Sequence, residues 1–192
     1  MKKLFVLLFA ASAALSSFKA TAQDTWTADK AHSKLGFSIT HMMVSDVEGS
    51  FKNFESTIQS SKPDFTDAVV NLSADVNSVN TEDDKRDGHL KSADFFDAEK
   101  YPKLTFKSTS VKKVSANKYK VNGNLTLHGV TKPVVLDAVL RGTTVNQAKK
   151  TVAGFKVTGT LKRADYALGA KFPNAMLSDE IILTANTEFV KN

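Results

Sequence analysis

The chain has 192 residues, with 26 lysines and arginines against 20 aspartates and glutamates, a net charge of +6 and no cysteine. Without thiols it forms no disulfide, no cysteine-bound metal centre and no thiol nucleophile. Three of the lysines and none of the acids lie in the first 22 residues, so the remainder is close to +3, too slight an excess to indicate nucleic acid as a partner.

Those first residues read as a secretory leader. Lys2 and Lys3 precede an apolar stretch from Leu4 to Leu15, and Ala20-Thr21-Ala22 supplies a small-x-small pattern for cleavage before Gln23. The stretch is shorter than the roughly 20 residues a membrane-spanning helix needs, and it ends in Ser16-Ser17. No cysteine follows that could carry a lipid anchor. The expectation is a periplasmic or secreted protein with no stable membrane insertion, folded as one domain over residues 23–192.

From Trp26 onward apolar residues recur with period two. Leu35, Phe37, Ile39 and His41 share one face of a first strand, and Phe51 with Phe54 breaks parity, which predicts a bulge near Asn53. Val70, Leu72, Ala74 and Val76 alternate with polar residues, and so do Val121, Gly123, Leu125 and Leu127. Phe155, Val157, Gly159 and Leu161 form a further strand, and Ile181, Leu183, Ala185 and Phe189 the last. Inner-face glycines such as Gly49 and Gly123 are expected to bend strands or leave room inside. Pro63, Pro102, Pro133 and Pro173 fall between strands or at their starts, and Lys112-Lys113 and Lys149-Lys150 are expected at turns. One segment, Thr81 to Phe96, does not alternate and reads as a loop with a short helix interrupted by Gly88.

Roughly eight long strands, each apolar on one face, predict an all-β, antiparallel barrel with a short helix in the 81–96 loop. A two-sheet sandwich fits the same pattern, and alternation alone does not separate a ligand cavity from a solid core. The sequence holds no G-x-S-x-G elbow, H-E-x-x-H pair or P-loop, so no catalytic residue, metal site or cofactor is assigned. Asp83, Asp84, Asp87 and His89 match no standard ligand set and read as a solvated loop. Arg86 and Asp87 are expected to pair or to cap the helix, and His128 to pack a turn.

Several segments, in order along the chain, resemble the YceI-like family. They are Trp26 to Met42, Gly49-Ser50-Phe51, Arg86 to Asp97, Tyr101 to Phe106, Gly123 to Val134, Arg163-Ala164-Asp165-Tyr166 and Leu177-Ser178-Asp179-Glu180. Where the family commonly has glycine after the Asp-aromatic pair, this chain has Ala167. The resemblance implies a lipocalin-like barrel, usually periplasmic, holding a long-chain isoprenoid lipid such as a polyisoprenoid or isoprenoid quinone. On that reading Phe37, Ile39, Phe51, Leu72, Phe106, Leu125 and Phe155 wall the cavity. Phe95 and Phe96 plug or wall its end, and His41, His89 and Arg163 meet a polar head group at the mouth. The alternatives are a hydrolase or isomerase acting on a small substrate at that mouth, and a solid-core protein working through its outer surface.

Overall fold

The computed structural model describes residues 23–192, so the leader expected over residues 1–22 lies outside the described residues. The chain forms eight antiparallel runs in up-and-down order, three of them interrupted. The first run is β1 (Asp24–Ala28) and β2 (Lys34–His41), parted by a 3-10 turn at Lys30–His32. The second is β3 (Ser45–Phe51) and β4 (Phe54–Ser60), broken at Lys52-Asn53 where the parity of Phe51 and Phe54 predicts a bulge. The third is β5 (Val69–Asp75), continued by the two-residue β6 (Val79–Asn80). The remaining five are β7 (Lys103–Ser115), β8 (Lys118–Leu127), β9 (Val130–Val145), β10 (Thr151–Lys162) and β11 (Leu177–Lys191).

Each run pairs with the next, and β11 turns the sheet into a ring. One edge of β11 pairs with β10; the other takes β2 through pairs such as Ile181 with Ile39, then β1 through Ala28 with Phe189. The fold is therefore a closed eight-stranded antiparallel barrel, not a sandwich. Closure leaves the alternating side chains nowhere to go but inward or to water, and Leu104, Phe106, Val121, Leu125, Leu127, Phe155 and Leu161 are all buried.

The inner-face glycines do not leave open space. A Cβ on Gly49 would sit 2.3 Å from Cζ of Phe37, and one on Gly123 2.3 Å from Cζ of Phe106. Each glycine accepts an aromatic ring from the neighbouring strand, so the missing side chain is filled by a neighbour (β3 receives Phe37 of β2, and β8 receives Phe106 of β7). Lys112 and Lys113 also differ from expectation, lying inside β7 ahead of its turn at Ala116-Asn117, while Lys149 and Lys150 do belong to a turn and its edge.

The connections sort to two ends. Residues 42–44, 81–102, 128–129 and 163–176 gather at the upper end; residues 61–68, 116–117 and 146–150 lie at the lower. Helix α1 (Asp84–Lys91) sits in the upper set and runs through Gly88 unbroken. Its N-cap is Asp83, whose carboxylate accepts the Arg86 N–H at 3.0 Å. The lower end is closed by the 61–68 loop, whose Phe65 is 3 % exposed and packs edge-on against Trp26 and Phe155. Among the described residues no helix is long and apolar enough to cross a membrane.

Candidate functional site

Two apolar cavities occupy the barrel one above the other. The upper, about 290 Å³, is lined by residues of β2, β3, α1 and its following loop, β10, β11 and the 163–176 segment. The lower, about 150 Å³, reaches down to Phe65 and Phe189. Phe51, Leu104 and Leu183 line both and form the waist between them. Leu177 lines the upper cavity and Phe189 the lower, twelve positions apart on one strand. At about 3.3 Å per residue and a tilt of about 40°, the two together run roughly 30 Å along the barrel axis.

The side chains singled out in the sequence fall along this path. Phe37, Ile39, His41, Phe51, His89, Phe95, Phe96 and Arg163 line the upper cavity. Leu72, Phe106, Leu125 and Phe155 line the lower one, where Phe51 recurs. Phe95 and Phe96 have different parts. Phe96 is buried and meets Phe51 edge-on, walling the cavity, whereas Phe95 stacks on Phe172 at 5.2 Å and 19° across the mouth. Gly169 permits that arrangement: its φ is +56°, and a Cβ there would lie 2.5 Å from the Phe95 ring.

Arg163 is 4 % exposed, and its guanidinium is engaged by backbone carbonyls and by Asn174 Oδ1. Nη1 donates to the carbonyls of Leu168 and Gly169 at 2.6 and 2.7 Å, Nη2 to those of Phe172 and Leu177, and Nε to that of Ser178. Instead of offering donors to a head group, it ties the 163–178 segment into the wall. Within that segment the residue that ends the 3-10 turn, Ala167, is left-handed at φ 53°.

A different arginine is placed to meet a polar group. Arg86 donates from Nε to Thr81 Oγ1 at 2.7 Å and from Nη2 to the Thr81 carbonyl at 2.8 Å; among the described residues Nη1 has no partner. Asp87, buried beneath it, accepts from the Thr81 N–H and hydroxyl, so neither residue pairs with the other nor caps the helix. Arg86 and Thr81 line both the upper cavity and a polar groove on the barrel's outside, shared with Lys34, Asp46, Glu48 and Lys52. The clue available in sequence was Asp83, which stands three residues earlier and takes the capping role.

The histidines divide in the same way. His41 lies at the exposed rim. His89 meets Phe95 and Phe172 edge-on, with Nε2 3.4 Å from Asp94. The ammonium of Lys171, 2.6 Å from Asp94, and then His89 hold that carboxyl below the usual range. His128 packs its turn as expected, against Tyr101 and the Tyr166 carbonyl. Burial pushes the Tyr166 phenol up to about 12, and its hydroxyl has no partner among the described residues. Asp29, His32 and Glu188 lie together at the surface and line neither cavity.

A family model for the YceI-like domain matches residues 26–189. The chain belongs to the YceI-like family. A UPF0312 protein of Pectobacterium atrosepticum is 36% identical over 184 residues, covering 95% of either chain. The crystal structure of a Campylobacter jejuni YceI protein superposes with a TM-score of 0.73 at 36% identity, over 85% of this chain and 96% of that one. A domain from Saccharophagus degradans, described as polyisoprenoid-binding, shares the YceI-like barrel at a TM-score of 0.64 and 19% identity, over 87% of this chain and 98% of its own. At that identity the likeness speaks for the fold alone.

Proposed function

We propose that this YceI-like barrel binds a long isoprenoid lipid in its stacked cavities, as an exported carrier or store, and catalyses nothing. The observation that supports this most is the shape and chemistry of the interior: two stacked apolar cavities spanning roughly 30 Å, with aromatic rings packed at the lower end. Each isoprene unit brings five carbons, about 3–4 kcal/mol of burial at about 0.8 kcal/mol per methylene-sized group. Association itself costs about 4–15 kcal/mol, so two units barely hold and four or more bind well. The Saccharophagus degradans domain of the same fold carries the corresponding description. Export rests on the leader-like residues 1–22.

The polar end of the lipid then lies at Arg86, whose Nη1 is the available donor between the cavity and the outer groove. The non-catalytic reading rests on a lining made mainly of apolar side chains and on Arg163, whose donors serve carbonyls of its own wall. The test is a titration with isoprenoid alcohols and quinones of increasing length. Affinity is expected to rise steeply beyond two units and level off once the lower cavity is filled. Affinity independent of chain length, or no binding, overturns the proposal.

A further inference from the structure

The upper rim carries a group of exposed apolar side chains. Met42, Met43 and Val44 are 57%, 65% and 82% exposed, and Met176, on the neighbouring segment that leads into β11, is 46% exposed. The Met42 N–H donates to the Met176 carbonyl at 2.8 Å, which joins the two segments into one patch. Met176 also lines the upper cavity, so the patch is continuous with the interior. The other strongly exposed valines, Val114, Val135 and Val145, lie on β7 and β9, and Val114 and Val145 stand at the opposite end of the barrel.

The backbone under the patch is unfavourable for the residues that occupy it. The Val44 N–H donates to the His41 carbonyl, closing a turn whose central residues, Met42 and Met43, have φ of 49° and 60°. Such a turn favours Asn-Gly, and two methionines accept a conformation that disfavours side chains. Half-exposed, they repay it little by packing. Their flexible, polarisable chains suit an irregular apolar surface. The charge is equally selective. Residues 41–45 contain no lysine, arginine, aspartate or glutamate, and residues 167–177 contain only Lys171, paired with Asp94.

We propose that this rim, residues 42–44 with Met176, docks on the uncharged acyl–headgroup boundary of a lipid bilayer, so that the isoprenoid passes between membrane and cavity without crossing water. The patch of residues 42–44 with Met176 carries no charge of its own and matches a zwitterionic surface, the charges of that end standing apart from it in residues 81–102. The inference rests on the lipid-holding reading above, but its test does not. The purified protein is floated with phosphatidylcholine vesicles, with and without added phosphatidylglycerol, in low and high salt. Expected is flotation with phosphatidylcholine alone, unweakened by 1 M salt.

The variant carrying Met42→Asn, Met43→Asn and Val44→Thr should lose vesicle binding by about tenfold or more. Its thermal stability should stay level or rise, because Asn tolerates positive φ. Val145→Asn should bind as the parent does. Uptake of a polyprenol from detergent micelles, which needs the cavity and not the rim, should be unchanged in the triple variant. No flotation, flotation that requires anionic lipid and low salt, or flotation undiminished in a folded triple variant overturns the docking proposal. Failure of micellar uptake in the parent overturns the lipid-holding reading instead.

Discussion

Replacing Arg163 by Met removes the donors on which the carbonyls of Leu168, Gly169, Phe172, Leu177 and Ser178 converge. Buried acceptors left without partners are costly, and a loss of about 3 kcal/mol or more is expected in chemical denaturation. Arg163→Lys should recover only part of it, because an ammonium lacks the planar fork. Ala167→Gly should act in the opposite sense. Ala167 holds φ 53° at the end of its turn, and relieving that strain should raise stability by about 1 kcal/mol, read as a higher melting temperature. The inward parity of Phe37, Leu125 and Phe155 was legible in sequence because a strand's period of two is a local property. The role of Arg163 was not, since residues 168–178 carry no period and their carbonyls meet only after the barrel closes. The two inner glycines misled for a related reason: which ring would cover them depends on register across strands.

The short connecting elements make the two ends unlike. At the upper end, the loop after α1 and the 163–176 segment are joined by Lys171 on Asp94, by Phe95 stacked on Phe172, and by the Gly169 N–H on the Asp94 carbonyl at 2.9 Å. At the lower end Asp67 organises the plug. Partial burial opposes its ionisation, yet hydrogen bonds from Ser60, Ser61 and the Lys62 N–H outweigh that and hold its carboxyl well below the usual range. Both carboxyls are thus depressed in the folded state. Their contribution is complete above the unfolded aspartate value of about 3.9, and it is lost as pH falls below that value toward the folded ones. Protection of the amides at residues 61–68 and 92–97, read as exchange relative to the intrinsic rate at each pH, should therefore fall below about pH 4 and stay level from pH 5 to 7. Lys171→Ala at pH 7 should loosen the upper loop alone. The helix at Asp84–Lys91 was legible from the break in alternation; its cap was not, being Asp83 where Arg86 or Asp87 was expected. The tie between the helix loop and residue 171 was not, being a contact between segments 77 positions apart.

At the scale of the whole barrel, the stacked cavities predict a length-dependent function with a vulnerable waist. Leu183, with Phe51 and Leu104, lines both cavities. Leu183→Trp should narrow the passage at about 1–3 kcal/mol of overpacking, abolish retention of long isoprenoids, and leave short ones bound in the upper cavity. Unchanged retention of long chains in that variant would mean that the lower cavity takes no part. Roughly eight long strands with one apolar face were legible, and closure was the expected way to hide both face and edges, though the pattern also fitted a sandwich. The division of the interior was not, as it depends on how far Phe51, Leu104 and Leu183 reach across the barrel. The most direct measurement is organic extraction of the protein purified from its native compartment, followed by mass spectrometry of the extract. A near-stoichiometric long-chain isoprenoid is the result predicted here. An extract that is repeatedly empty, or that yields a small polar metabolite, would contradict the reading of the barrel as a lipid holder.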